Sequence, residues 1–239
     1  MTHVVALSGG KDSTAMALRL AEVEPRDYVY VCTPTGNEPD AMFEHWKQLG
    51  LLLGKPIQPV MGGTLKGLIH DQGAIPNWRM RFCTRMLKIA PYAAWLAQHA
   101  PAVSYVGLRA DEDEREGGDY QDVPDVTQRY PMREWGWKIA DVWAYLDAKG
   151  ITIPKRTDCQ LCFFQRIDEW WTLWRTNPEA WAEGEQLEAT TGHTFRSAGR
   201  DSWPAGMKEL RAEFEQGNYP KAAGQPDLFQ AMQCRVCRI

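Results

Sequence analysis

The chain has 239 residues, 44% of them hydrophobic and 24% charged, with a formal net charge of −4. That is enough for one sizeable domain, or a domain with an appendage, of ordinary globular composition. The acidic balance excludes a whole-surface attraction to nucleic acid or anionic membrane and leaves room only for a local basic patch.

In chain order, residues 3–7 are a short apolar run ending at Ser8-Gly9-Gly10, which suits a buried strand. The opening run is too short for a signal peptide and lacks a basic leader, and no stretch reaches membrane-spanning length. A cytoplasmic protein is therefore expected. Residues 13–23 set Ala15, Met16, Leu18, Leu20 and Val23 mostly on one helical face. Residues 28–32, Tyr-Val-Tyr-Val-Cys, have strand composition. Residues 39–53 read as a helix through Met42, Trp46, Leu49 and Leu53, and 57–60 as a weaker strand. A helix over 84–99, interrupted at Pro91, precedes a strand over 103–108. Residues 110–134 are polar and acidic around Gly117-Gly118 and read as a long loop; 138–149 return to helix, ended by Gly150.

This alternation predicts an α/β fold, a doubly wound and mostly parallel sheet over residues 1–150. From about residue 155 tryptophan-rich helical segments replace it, predicting a helical, cysteine-containing C-terminal subdomain over 151–239. Trp170, Trp171, Trp174 and Trp181 recur at helical spacing, which suits core packing better than base stacking. His45, His70, His99 and His193 show no ligand spacing and read as structural or exposed.

Ser8-Gly9-Gly10-Lys11-Asp12-Ser13 falls between the first strand and the first helix, where an open α/β sheet binds its ligand. Two glycines admit close backbone approach to a phosphate, and the helix start favours an anion. Lys11 adds positive charge, Ser8 and Ser13 add hydroxyls, and Asp12 is placed to hold a magnesium-linked water or to cap the helix. The spacing is not that of a Walker A loop.

The six cysteines include two Cys-x-x-Cys pairs, Cys159/Cys162 and Cys234/Cys237, beside Cys83 and Cys32. In an intracellular chain such pairs suggest metal binding or redox chemistry rather than disulfides. Cys32 falls inside a strand and reads as core.

Ser-Gly-Gly-Lys-Asp-Ser resembles the PP-loop of the adenine nucleotide alpha-hydrolase-like superfamily, the ATP pyrophosphatases and sulfonucleotide reductases. Further matches point to the PAPS-reductase branch, with similarity to DNA phosphorothioation enzymes. They are Thr35-Gly36-Asn37-Glu38, Cys83-Thr84 with Lys88, Gly107-Leu108-Arg109-Ala110-Asp111-Glu112 with Arg115, Tyr130-Pro131-Met132, Trp135 and Asp141-Val142-Trp143. The chain departs from the branch by Pro34 before Thr35, by Phe82-Cys83 in place of a cysteine pair, and by lacking a Glu-Cys-Gly-type tail.

The resemblance implies nucleotide binding by Ser8, Gly9, Gly10, Lys11, Asp12, Ser13, Thr35, Gly36, Glu38, Gly107 and Arg109, with catalytic roles for Lys11, Asp12, Lys88 and Arg109. It implies ATP with Mg²⁺ or a PAPS-like nucleotide as ligand. It also implies an enzyme of sulfur chemistry, acting by adenylation with pyrophosphate release or by sulfonucleotide reduction. The alternative is a non-catalytic nucleotide-binding subunit of a nucleic-acid modification complex. Implied partners are a sulfur donor protein and a nucleic-acid or small-molecule acceptor, with a homo-oligomer left open and no membrane. For the cysteines, the resemblance implies a [4Fe–4S] cluster on Cys83, Cys159 and Cys162, with Cys234 or Cys237 open as the fourth ligand. Structural Zn²⁺ on the two pairs and a redox role for the tail stand beside it.

Overall fold

The computed structural model describes residues 1–112, 114–115 and 123–220. Strands β1 (Thr2–Ala6), β2 (Tyr28–Cys32), β3 (Ile57–Pro59), β4 (Ala102–Tyr105) and β5 (Val126–Arg129) form one sheet in the order β3-β2-β1-β4-β5. Every pairing is parallel, with Val4 opposite Val29 on one side and Ser104 on the other. The chain builds outward from β1 to β3, then returns to the other side of β1 for β4. The gap between the carboxyl ends of β1 and β4 is therefore the topological switch point.

Adjacent residues of β1 feed opposite faces, as a strand buried on both sides requires. Val5 packs with Met16 and Leu20 of α1 (Lys11–Val23) and with Val142 and Leu146 of α7 (Ile139–Ala148). Val4 packs with Tyr92, Trp95 and Leu96 of α5 (Ala90–Gln98). α2 (Asp40–Leu52) follows β2.

Three details differ from expectation. The short α3 (Leu65–Gln72) lies where no helix is predicted; Thr64 caps it by accepting from Gly67 N at 3.1 Å, and Gly73 closes it at φ 58°. Pro91 does not interrupt its helix. α4 (Phe82–Thr84) runs through a π turn at Arg85–Ile89 into α5, and the wider π turn just before Pro91 accommodates its ring and missing N–H without ending the helix. The expected loop over 110–134 contains β5 and the short α6 (Pro131–Glu134). β5 is an edge strand paired on one side, so its polar Thr127, Gln128 and Arg129 conceal the strand pattern.

Beyond residue 155 the described elements are helices: α8 (Ile167–Thr176), α9 (Pro178–Thr191) and α10 (Met207–Glu215). Trp170, Trp181, Leu187, Leu210 and Phe214 form their core, and Leu65, Leu68 and Ile69 of α3 belong to the same cluster. Trp171 and Trp174 pack against it partly buried. Among the described residues no helix is long and apolar enough to cross a membrane.

Candidate functional site

The loop between β1 and α1 is held open by its serines. Ser13 Oγ donates to Gly10 O (3.2 Å) and accepts from Gly9 N (3.1 Å), while Ser8 Oγ accepts from Gly10 N (3.3 Å) and lies 2.9 Å from Ser13 Oγ. Thr14 N to Gly10 O, 3.0 Å, is the first helical bond of α1. The N–H groups of Asp12 and Ser13 precede it and have no acceptor within the helix. They present the positive end of the α1 dipole at the switch point.

Gly9 has φ +82°, and a Cβ there would lie 2.5 Å from Trp46 Nε1 and 2.7 Å from Met42 Cε. Helix α2 thus braces the back of the loop. Trp46 Nε1 donates to Ser8 O (3.2 Å), and His45 Nε2 lies 3.3 Å from Thr14 Oγ1. Burial holds His45 below its usual pKa, against an opposing backbone hydrogen bond with Gly9. Neither His45 nor Trp46 is singled out by sequence, because both fall on an ordinary helical stripe.

Asp12 does not cap α1; Gly10 is the N-cap and no side chain caps it. Instead Asp12 Oδ2 accepts from Lys11 Nζ (3.0 Å) and Arg109 Nη1 (2.9 Å), and Asp12 Oδ1 is buried without a hydrogen-bond partner. Arg109 also binds Asp111 through Nε (2.8 Å). Burial alone would lower the Arg109 guanidinium, but Asp12, Glu112 and Asp111 hold it above its ordinary value. Gly107 lets this loop approach α1: a Cβ there would sit 3.2 Å from Ser13 N and Cα.

The Thr35–Glu38 segment after β2 is closed by its own acid. Glu38 Oε1 accepts from Thr35 N and Oγ1, both 2.8 Å, and Oε2 accepts from Asn37 N (3.2 Å). The Glu38 carboxylate is therefore spent within the segment, and Gly36 (φ 70°) makes the turn. The segment grips the loop that carries two cysteines: Asn37 O accepts from Gln160 N (2.7 Å), and Asn37 Oδ1 from Leu161 N (2.8 Å). With the Thr35 hydroxyl donating to Glu38, the Cys159 thiol donates to Thr35 Oγ1 at 3.1 Å.

Cys83, Cys159, Cys162, Lys88 and Thr35 line one pocket, roofed by Phe163 and Phe164, with about 380 Å³ between its walls including space open to solvent. Burial pushes all three thiols up; Lys88 pulls Cys83 and Cys159 back. Arg156 fixes the loop by donating to Cys159 O from Nε (3.2 Å) and Nη2 (2.7 Å). The same loop runs beside the PP-loop position, Thr157 Oγ1 lying 3.9 Å from where a Gly10 Cβ would be. Among the described residues no three His, Cys, Asp or Glu side chains meet closely enough for a single metal ion. Three thiols on one pocket are donors of the kind that iron–sulfur clusters and structural zinc both take. Cys234 and Cys237 lie outside the described residues.

A serine–glycine phosphate loop at the switch point of a parallel sheet, tied to the strand across the gap, defines an α/β protein of the PP-loop class. The chain belongs to the phosphoadenosine phosphosulfate reductase domain family, whose model matches residues 2–158. It is similar in fold to the phosphoadenylyl-sulfate (PAPS) reductase of Candida auris in its phosphate complex. That likeness has a TM-score of 0.50 and 10% identity over 64% of this chain and 75% of the other. It is also similar to the U34-tRNA thiolase NcsA of Methanococcus maripaludis with its [4Fe-4S] cluster, with a TM-score of 0.51 and 14% identity over 100% of this chain and 80% of the other. No curated protein matches the chain.

Proposed function

We propose that this protein is a PP-loop sulfurtransferase: it binds ATP on Ser8–Gly9–Gly10–Lys11–Asp12–Ser13, adenylates an acceptor oxygen with release of pyrophosphate, and delivers sulfur at the cysteine pocket. The observation that carries the reading is the gathering of Cys83 of α4 with Cys159 and Cys162 around one pocket, the latter two on a loop that passes Gly10. Three thiols sharing a cavity suit a cluster, and the single cysteine at Phe82-Cys83 together with the lack of a Glu-Cys-Gly-type tail weighs against an ordinary sulfonucleotide reductase.

In this reading the acceptor oxygen attacks the α-phosphorus and pyrophosphate leaves; a sulfide-level sulfur then bonds to the acceptor carbon as the carbon–oxygen bond breaks and AMP departs with that oxygen. The outward N–H groups of α1 and the Lys11 ammonium hold the departing phosphates, where negative charge develops. Arg109 acts on the same charge from the β4 side. Asp12 Oδ2 positions both cations, and its unpartnered Oδ1 would hold Mg²⁺ together with phosphate oxygens. Cys83, Cys159 and Cys162 would hold a [4Fe–4S] cluster, which when bound supplies a site for carrying sulfur. Lys88 supplies positive charge at the pocket wall to an anionic sulfur species.

The family match supports a second reading, binding of a PAPS-like nucleotide with attack of a thiolate on the sulfate sulfur. One experiment separates the two. Anaerobically purified protein is incubated with ATP, Mg²⁺ and candidate acceptors, and separately with PAPS and a dithiol, while pyrophosphate and sulfite are measured. Pyrophosphate release that is lost in Lys11→Ala supports adenylation. Sulfite release alone supports reduction. Tight nucleotide binding with neither product supports a non-catalytic binding subunit.

A further inference from the structure

Between Asp71 and Asp111 the chain contains no acidic residue, while Arg79, Arg81, Arg85, Lys88 and Arg109 all fall there. In a chain of net charge −4 this is a local reversal of sign. Arg109 is bound by Asp12 and Asp111 beside the glycine loop, and the other four fall on the segment before α4 and on the π turn that follows it.

That segment begins with a built turn. Asn77 Oδ1 accepts from the N–H groups of Arg79 (2.9 Å) and Met80 (3.0 Å), and Asn77 N donates to Met80 O at 3.1 Å. The turn holds two large apolar side chains out in solvent, Trp78 at 59% exposed and Met80 at 51%. The Arg79 guanidinium lies 4.6 Å from the Trp78 ring centroid. Arg81 lies 5.2 Å from the ring of Phe164, which roofs the cysteine pocket, and Pro76 and Cys83, bounding the turn in sequence, line that pocket's wall.

The Trp78 ring is thus both exposed and held in place, by a hydrogen-bonded turn and by a guanidinium over its face. A tryptophan face paired with a guanidinium plane, on a stretch free of carboxylates, matches the two chemistries of a nucleic-acid strand. The ring stacks on an unpaired base and the cations meet the phosphates.

We propose that the Trp78–Arg79 turn docks a single-stranded nucleic acid, one unstacked base lying on Trp78 and neighbouring phosphates on Arg79 and Arg85, beside the mouth of the cysteine pocket. The acceptor of the proposed sulfur transfer is then a base or sugar within such a strand. This last step rests on the proposed function; the docking does not.

The test measures fluorescence anisotropy of short labelled RNA and DNA oligonucleotides, single-stranded and duplex, with the full chain and no nucleotide present. Single strands are expected to bind, with duplexes at least about tenfold weaker. Trp78→Ala is expected to weaken single-strand binding about tenfold, and Trp78→Phe to restore most of it, because a ring suffices for stacking. Arg79→Gln is expected to reduce the slope of log K against log salt by about 0.7, and Arg19→Gln to leave it unchanged. The RNA and DNA arms identify the sugar. Absence of single-strand binding at low salt overturns the proposal. So does binding that Trp78→Ala and Arg79→Gln leave intact, which includes the case of a turn that serves a protein partner. Docking without pyrophosphate release from ATP would leave the surface standing and remove the adenylation reading, and the reverse result would do the opposite.

Discussion

Arg109 reaches across the switch point of the sheet to place Nη1 2.9 Å from Oδ2 of Asp12, so the strand that returns beside β1 holds the first turn of the helix that leaves it. The same carboxylate oxygen receives Lys11 Nζ at 3.0 Å. Two cations thus share one buried acid at the edge of the phosphate loop. Arg109 is matched in turn by Asp111 and Glu112, so the cluster is a paired network that fixes the geometry of the loop.

Replacing Arg109 by alanine would strip this arrangement of one of its two buried cations and expose Asp12 to the cost of a poorly compensated charge. Breaking a buried pair in this way costs about 3 kcal/mol. Urea unfolding of Arg109→Ala should show that loss, and nucleotide affinity should fall with it. Arg109→Lys should recover little of either, because one ammonium cannot reach Asp12 and Asp111 together as the guanidinium fork does.

Glu38 ties the Thr35–Glu38 segment to itself, and that segment grips the Cys159 loop through Asn37 and Thr35. Glu38→Ala leaves the N–H groups of Thr35 and Asn37 without their acceptors. The expected cost is about 2–3 kcal/mol, and Glu38→Gln, which keeps one acceptor oxygen, should cost about half as much. Because the clamp loosens, Cys159 should react faster with a thiol reagent in Glu38→Ala than in the wild type. Equal labelling rates, measured site by site by mass spectrometry, would count against the clamp.

The strand, glycine loop and first helix are legible in the sequence because burial, turn chemistry and helical spacing all speak for the same structure there. Legibility fails where the reason lies across the fold. Val126–Arg129 pairs on one side only, so burial selects too few of its residues to mark a strand. Glu38 enters the nucleotide-binding set through the family resemblance alone, and its hydrogen bonds to Thr35 and Asn37 within its own segment are a feature that no sequence pattern announces. Trp46 reads as a helix-face residue, and its hold on Ser8 depends on a sequence separation that no local pattern records. The cysteines are the middle case. Their types announce thiol chemistry and the resemblance already groups Cys83 with Cys159 and Cys162, while the fold supplies the shared pocket that sets the three side by side.

Gly107 tests how closely the β4 loop must approach the phosphate site. A methyl group there meets Ser13 N and Cα at 3.2 Å and Asp12 C at 3.3 Å, all backbone atoms that no rotamer change can move aside. Gly107→Ala should therefore cost about 1–3 kcal/mol by forcing the start of α1 away from the strand end. Nucleotide affinity, followed by calorimetry, should fall about tenfold or more, since it depends on where the α1 N–H groups point. Unchanged affinity would mean that the loop does not hold the nucleotide's phosphates.

Glu188 provides a pH dependence with a definite sign. Its Oε1 accepts from Phe195 N (2.9 Å) and its Oε2 from Met207 N (2.6 Å), joining α9 to the start of α10. Burial, aided by the like charges of Glu209 and Glu185, raises its pKa to about 7 against the hydrogen bonds that favour ionisation. In the unfolded chain the group ionises near its ordinary 4.5. The folded state therefore binds more protons between about pH 4.5 and pH 7, and stability falls as pH rises through that window. The contribution is full below the lower value and gone above the upper one. Allowing for solvent around a half-buried carboxylate, the loss is of order 2 kcal/mol. Glu188→Gln carries no titrating group, so the difference in unfolding free energy between wild type and variant should change by that amount across the window and stay flat on either side. Chemical denaturation at a series of pH values reads this directly. Parallel curves for the two proteins would mean that Glu188 ionises at the same pH folded and unfolded, and that the carboxylate joining α9 to α10 is already charged at acidic pH.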